Sequence, residues 1–129
     1  MRCLVRAGSD QSNLKGLPVE ISEGDLRDVA SLKRAVTNCE NLFHVAADYR
    51  LWVPDPETMY EINVKGTQEL ILAASGADVS RIIYTSSVAT LGINVDGNPA
   101  DENTPSSLNN MTGHYKRSKF LAEQVVQHL

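Results

Sequence analysis

Short apolar runs alternate with helical patterns along this chain, and this alternation constrains its fold more than any other feature. The runs are typical of buried strands and lie at Cys3–Val5, Val19–Ser22, Asn41–Ala46 and Arg81–Thr85. Because helical crossovers lie against a sheet, strands that alternate with helices predict a parallel sheet covered on both faces. We therefore expect an α/β fold in which ligands bind at the carboxyl ends of the strands.

Capping residues and turn residues mark the expected helices. Asp28 precedes a helix whose apolar stripe is Val29, Leu32, Ala35 and Val36. Asp55 and Pro56 begin the longest helix, which has an inner face of Met59, Ile62, Gly66 and Leu70 and is expected to stop at Gly76. A final helix is expected from Thr112. The polar stretch 94–110 between the last strand and this helix predicts a long surface loop.

Composition limits the classes of partner. The chain has 129 residues, enough for one domain, and carries a net charge of −4 with no run of Lys or Arg. Nucleic acids and anionic membranes are therefore excluded as expected partners. Cys3 and Cys39 are isolated and are interpreted as buried thiols, so we expect neither a disulfide nor a metal site. Without a signal sequence or an apolar span, the chain is expected to be cytoplasmic.

Tyr115 and Lys119 are the strongest chemical signal. Their spacing in a predicted helix places both side chains on one face. A phenol is a poor acid–base group at neutral pH, but a neighbouring ammonium favours the phenolate. Taken alone, the pair has chance as its alternative explanation.

Hydroxyl residues follow the fourth predicted strand. Thr85, Ser86 and Ser87 lie at its carboxyl end, where side chains reach the ligand crevice of a parallel sheet. Turn formation or helix capping is the alternative role for the two serines.

Five segments, in order, resemble those of the extended short-chain dehydrogenase/reductases. They are Gly24-Asp25-Leu26, His44-Val45-Ala46-Ala47, Asn63-Val64-Lys65-Gly66-Thr67, Tyr84-Thr85-Ser86-Ser87 and the Tyr115–Lys119 motif. The resemblance covers essentially the whole chain. Within the family, the segments 43–52 and 114–119 are most similar to the hopanoid-associated sugar epimerases, which are relatives of the dihydroflavonol reductases.

The resemblance implies a partial Rossmann-type, doubly wound parallel sheet and hydride transfer between a nicotinamide and a small-molecule substrate. Tyr115 would transfer a proton to or from the substrate oxygen, and Ser87 would hydrogen-bond that oxygen. Lys119 would hold the nicotinamide ribose, and Asn63 would order the long helix and a water molecule near Lys119. The implied cofactor-binding residues are Arg6, Asp25, Leu26, Ala46, Ala47, Thr85, Tyr115 and Lys119. The substrate is a carbonyl compound or a sugar nucleotide, and reductase, epimerase and dehydratase chemistry all remain open.

Arg6 bears on the choice of cofactor. Nucleotide-binding folds place a carboxylate at the end of this strand for the adenosine ribose of NAD, whereas an Arg suits the extra phosphate of NADP. The sequence has no acidic residue between Arg6 and Asp10, so NADP is expected, with NAD as the alternative. A solvated Arg at a strand end is the other interpretation.

The sequence departs from the family in having no G-x-x-G-x-x-G turn for the pyrophosphate. Judged by the resemblance, residues 1–129 form a partial domain that begins at the second strand, without a second domain. We expect the first two strands to pair with each other and the last two likewise, with a gap between the pairs. The polypeptide alone is expected to be partly folded, prone to self-association and inactive. The second function hypothesis is therefore a non-catalytic fragment that keeps only a homodimer surface, in helices 55–75 and 112–129.

Three aromatic or imidazole side chains near the third strand need separate interpretation. A lone histidine in an apolar strand is more often packed and hydrogen-bonded than catalytic, and we expect this of His44. Tyr49 and Trp52 either line a substrate pocket or pack against the protein, and the sequence leaves both roles open.

Overall fold

The computed structural model describes residues 1–129 as an α/β unit of four strands and four α-helices. The strands are β1 (Arg2–Val5), β2 (Glu20–Glu23), β3 (Asn41–His44) and β4 (Arg81–Tyr84). The helices are α1 (Val29–Val36), α2 (Pro56–Tyr60), α3 (Gly66–Ser75) and α4 (His114–His128). A π-helical turn at Glu61–Lys65 joins α2 to α3, and short 3-10 turns lie at Ser12–Leu14, Val88–Thr90 and Leu108–Asn110.

The strands form two separate parallel pairs. β1 pairs with β2, with Arg2 opposite Glu20, and β3 pairs with β4, with Asn41 opposite Arg81. No hydrogen-bonded ladder joins the two pairs, so the predicted strand pairing and the gap between the pairs are confirmed. β3 ends at His44, two residues before the predicted end, and a last bond from the Thr85 N–H to the His44 carbonyl (3.0 Å) follows it.

A single apolar core under α1 and α3 joins the two strand pairs. Its buried members are Leu26, Leu32, Val36, Leu70, Ala73 and Ala74. Leu4 of β1, Leu42 of β3 and Ile82 of β4 pack against it. The same two helices therefore cover one face of both pairs.

The other face of the strands is open, so the expected cover on both faces is wrong. Phe43 and Val45 are each 68% exposed, and Ile21 is 42% exposed. The physical reason is that α1 and α3 lie on the core side and α4 packs against α3 and the π turn. The chain presents an apolar surface on this second face.

The helix ends follow the sequence signals, but the longest helix is not uniform. The Asp28 carboxylate accepts from the Ala30 and Ser31 amides, and the Asp55 carboxylate accepts from the Glu57 amide, as predicted. The π turn at Glu61–Lys65 replaces the expected continuous α-helix. α4 begins at His114, after the predicted Thr112, because Gly113 has a left-handed φ of 82°.

Candidate active site and dinucleotide cleft

Lys119 reaches from α4 to the carboxyl end of β4. Its Nζ donates to the Tyr84 hydroxyl (2.7 Å) and to the Thr85 carbonyl (2.9 Å), and the residue is only 3% exposed. Burial lowers the pKa of Lys119, and the charge of Glu123 opposes this effect. Burial also raises the pKa of Tyr84 to about 12, so Tyr84 stays a neutral phenol beside the lysine.

Tyr115 lies one helical turn before Lys119 and is half-buried. The two residues are four positions apart on α4 and share one face of this helix. Lys119 bonds to the Tyr84 hydroxyl, so α4 docks at the carboxyl end of β4 through this face.

Ser87 lies just beyond β4 and caps the 3-10 turn at Val88–Thr90. Its Oγ accepts from the Ala89 amide at 3.2 Å, which is the capping role considered as the alternative. An oxygen that accepts a hydrogen bond still has its own proton to donate. The cap therefore fixes the Ser87 side chain and leaves its O–H available to donate.

Asn63 ties the π turn to two other elements. Its Oδ1 accepts from the Asp48 amide (2.7 Å), and its Nδ2 donates to the Asp48 carbonyl (2.8 Å) and the Ser118 hydroxyl (2.9 Å). Asn63 is 2% exposed. The Asn63 amide thus links Ser118, which precedes Lys119, to Asp48 in the segment after β3.

His44 is buried and hydrogen-bonded. Its Nε2 lies 2.8 Å from the Thr67 hydroxyl, which donates its own proton to the Asn63 carbonyl at 2.7 Å. A hydroxyl has one proton, so Nε2 must be the donor and the ring is the Nε2–H tautomer. Burial and the charge of Lys119 lower the pKa of His44 to about 4, which makes it a neutral, packed histidine as expected.

A cleft of about 610 Å³ separates the two strand pairs at their carboxyl ends. It is lined by five of the predicted cofactor residues, which are Arg6, Asp25, Leu26, Ala46 and Ala47. Thr85 lies outside this lining and contacts Lys119 through its carbonyl. Tyr49 also lines the cleft and is 78% exposed, whereas Trp52 is 79% exposed and lies outside it.

Charged groups lie on the β1–β2 side of this cleft. The Arg27 guanidinium holds Asp25 in a bidentate ion pair and lowers the pKa of its carboxyl to about 2. Arg6 is exposed and also lines an adjoining cleft of about 570 Å³, together with Ser9, Ser31 and Arg34. Asp10, the first acidic residue after Arg6, instead accepts from the Ser12 amide and hydroxyl.

The residues present fit part of a nicotinamide dinucleotide. The Gly24–Leu26 turn and Arg6 form a polar and cationic rim around a cleft of suitable size for the adenosine portion. Lys119 lies at the carboxyl end of β4, on the helix that also carries Tyr115. The chain carries no glycine-rich turn of the type that binds a pyrophosphate.

Two further residues around Lys119 were assigned no role from the sequence, although Tyr84 begins one of the family-like segments. Tyr84 accepts from Lys119, and Glu123 binds the hydroxyls of Ser86 and Thr90. Glu123 lies one helical turn after Lys119, and this spacing was the available signal. The Tyr84 contact depends on the docking of α4 against β4, which no local pattern reports.

Parallel strands with a ligand cleft at their carboxyl ends define a Rossmann-type nucleotide-binding class. The profile of the 3-beta hydroxysteroid dehydrogenase/isomerase family matches residues 5–128. The chain belongs to this family of extended short-chain dehydrogenase/reductases. None of its helices combines the length and the apolar composition needed to cross a bilayer.

The known relatives of this chain are longer proteins, which it covers in part. A candidate dihydroflavonol 4-reductase of Synechocystis is 45% identical over 124 residues, which cover 96% of this chain and 36% of the relative. The crystal structure of gox2253 is 56% identical with a TM-score of 0.93, over 99% of this chain and 39% of that one. A UDP-glucose 4-epimerase from Bifidobacterium longum, solved with NAD+ and UDP, is 28% identical with a TM-score of 0.72, over 90% and 35%. The chain thus spans little more than a third of the length of these relatives.

Proposed function

We propose that this chain carries the catalytic residues of an NAD(P)-dependent reductase or epimerase that acts on a carbonyl compound or a sugar nucleotide. The observation that carries the proposal is the buried Lys119 ammonium, fixed at the end of β4 on the helix that bears Tyr115. Burying a lysine ammonium costs free energy. A buried Lys119 beside Tyr84, on the helix that carries Tyr115, therefore favours a chemical role over that of a solvated surface charge.

Each residue has a definite task in this proposal. The bound nicotinamide cofactor supplies or accepts the hydride. Tyr115 gives its hydroxyl proton to the substrate oxygen, or takes it back in the reverse direction. Ser87 donates a hydrogen bond to that oxygen, and the Lys119 ammonium holds the ribose and favours the phenolate of Tyr115.

A chimera tests the proposal. This chain replaces the matching segment of gox2253, to which it is 56% identical, so that the chimera contains complete strands on both sides. Oxidation of NADPH is then followed with a panel of ketones, aldehydes and sugar nucleotides. We expect Tyr115→Phe to lower turnover by about 100-fold or more while the dissociation constant for NADPH changes little, since general acid catalysis typically contributes ~10²–10⁴-fold.

Tyr60→Phe is the matched control because Tyr60 lies on α2 and contacts His114 instead of Lys119. It should leave turnover within about twofold, as expected for a residue that makes no transition-state contact. Equal turnover in the Tyr115→Phe and Tyr60→Phe chimeras would contradict the proposed role of Tyr115.

Arg6 supports a preference for NADP. Its exposed guanidinium stands at the rim of both clefts, and the nearest following acid, Asp10, is committed to Ser12. We expect Arg6→Asp to weaken NADPH binding about 10- to 100-fold relative to NADH in the chimera, which corresponds to one lost charge-assisted contact. Arg81→Asp is the control, because Arg81 lies at the amino end of β4, away from the carboxyl ends of the strands. It should leave the ratio of NADPH affinity to NADH affinity unchanged. An unaltered ratio in Arg6→Asp would rule out the phosphate contact.

A homodimer surface is the second candidate function. α4 packs across the π turn and α3, and it carries partly exposed apolar side chains at Phe120, Leu121, Val125 and Val126. A second copy of α2–α3 and α4 could cover these side chains. Sedimentation of wild type and Val125→Glu tests this: loss of a discrete dimer in the variant supports the interface, and equal dimerisation contradicts it.

A further inference from the structure

Glu123 occupies a position in the candidate site that the proposed mechanism does not use. It projects from α4, one helical turn beyond Lys119. Its Oε2 accepts a hydrogen bond from Ser86 Oγ and a second from Thr90 Oγ1 at 3.0 Å. Ser86 and Thr90 flank Ser87 along the chain, so this carboxylate holds the Ser87 segment from both sides.

The Thr90 hydroxyl is shared between two acceptors. Thr90 Oγ1 lies 2.7 Å from the Ser87 carbonyl and 3.0 Å from Glu123 Oε2, and its single proton serves both. The Ser86 hydroxyl donates to the same Oε2. Glu123 is therefore the common acceptor through which α4 holds Ser86 and Thr90.

Lys119 gives the same carboxylate a second task. The ammonium is bound only by neutral acceptors, the Tyr84 hydroxyl and the Thr85 carbonyl, and the ion pairs of the chain all involve arginines. The titratable groups that interact electrostatically around Lys119 are His44 of β3, Tyr84 of β4, and Tyr115 and Glu123 of α4. Glu123 is the one carboxylate among them.

We propose that Glu123 is a positioning residue, which anchors the Ser86–Thr90 segment to α4 and supplies the negative charge that keeps the buried Lys119 an ammonium. The inference rests on the proposed function, because the alignment of Ser87 with Lys119 matters only to that chemistry. It extends the site to a residue whose carboxylate accepts from the hydroxyls of Ser86 and Thr90.

Charge and hydrogen bonding can be separated by substitution. Glu123→Gln keeps an acceptor for the two hydroxyls but removes the charge, whereas Glu123→Ala removes both. Glu123→Asp keeps the charge on a shorter side chain. Glu69→Gln, on α3, is the control because it removes a helical carboxylate away from Lys119.

The measurement is NMR of the chimera with gox2253, with ¹⁵N-labelled lysine side chains and backbone amides, because the chimera supplies complete strands on both sides of this chain. We expect Glu123→Gln to move the Lys119 titration midpoint to lower pH, with Glu123→Asp and Glu69→Gln close to wild type. Amide exchange at Ala89 and Thr90 should accelerate in Glu123→Ala and stay slow in Glu123→Gln. This readout needs no turnover, so a chimera without activity would refute the proposed function and leave this result standing.

Three results overturn the inference. The first is a Lys119 midpoint in folded Glu123→Gln that equals the wild-type value. The second is a Glu123→Asp protein that fails to restore the midpoint. The third is failure of both Glu123→Gln and Glu123→Asp to fold, which makes Glu123 a purely structural residue.

Discussion

The His44 imidazole couples folding to pH. Its pKa is about 4 in the folded chain, compared with 6.5 for an unperturbed histidine. Between these values the unfolded chain binds a proton at His44 that the folded chain does not. Stability therefore rises with pH across this window and is lost as the pH falls from about 6.5 towards 4.

We predict that the free energy of unfolding depends on pH and that this dependence is weaker in His44→Gln. The contribution of His44 is on the order of 3 kcal/mol between pH 7 and pH 4, because each unit of pKa difference is worth about 1.4 kcal/mol. Urea unfolding at pH 5, 6 and 7 measures it, and a glutamine amide can still donate to Thr67. His128→Gln, at an exposed position, should keep the wild-type slope. Parallel slopes in wild type and His44→Gln would show that His44 is not the group responsible.

The spacing of Tyr115 and Lys119 made these residues visible in the sequence, whereas their neighbours were not. A pair on one helix face needs only the helical period. Tyr84 and Glu123 act through contacts between α4 and the β4 segment, at sequence separations of 35 and 37 residues for Lys119–Tyr84 and Ser86–Glu123. Such contacts come from tertiary packing, which local patterns do not encode. The choice between pocket lining and packing for Tyr49 and Trp52 was left open for the same reason.

At the scale of elements, the approach of the long helix to the turn after β2 depends on Gly66. A Cβ at this position would lie 2.8 Å from Leu26 Cβ and 3.0 Å from the Leu26 carbonyl oxygen. Leu26 belongs to the core and also lines the cleft between the strand pairs. The absence of a side chain at Gly66 therefore lets the helix pack closely against the Gly24–Leu26 turn.

We predict that Gly66→Ala lowers the free energy of unfolding by about 1–3 kcal/mol, as overpacking of a core typically does, despite the better helix propensity of Ala. Gly76→Ala is the matched control, since its nearest neighbour to an added Cβ is the Leu72 carbonyl oxygen at 3.4 Å and its φ is −69°. That substitution should be neutral or stabilising by up to about 1 kcal/mol. Thermal unfolding of both variants measures the difference, and equal effects would remove the packing argument.

Helix boundaries could be read from capping residues, but the π turn could not. Asp28, Asp55 and Pro56 act locally, and each predicted its helix start correctly. The turn at Glu61–Lys65 coincides with bonds that Asn63 makes to Asp48 and Ser118. Those partners lie on other elements, so the period of the apolar stripe alone predicts a continuous helix.

For the whole molecule, the separation into two strand pairs sets the stability. Each pair has an inward edge without a hydrogen-bonded neighbour, and only the core under α1 and α3 connects them. Two-stranded sheets are marginal on their own, and unpaired edges next to apolar side chains are sites of aggregation. Phe43 and Val45 on β3 and just beyond it add exposed apolar surface at such an edge.

The last prediction is that this polypeptide has a low free energy of unfolding, below the ~5 kcal/mol at which most domains begin, and self-associates through the open β1 and β3 edges. We expect a broad melting transition, a sedimentation coefficient that rises with concentration, and no NADPH-dependent reduction. Phe43→Lys should reduce the self-association, because a charge at an exposed strand position opposes edge pairing, whereas Lys33→Gln on α1 should leave it unchanged. A ligand stabilises a fold in proportion to its occupancy. A sharp, cooperative melt of a monomer, with a midpoint that rises on addition of NADPH, would therefore refute this prediction and show that the cleft between the strand pairs binds the cofactor without a glycine-rich turn.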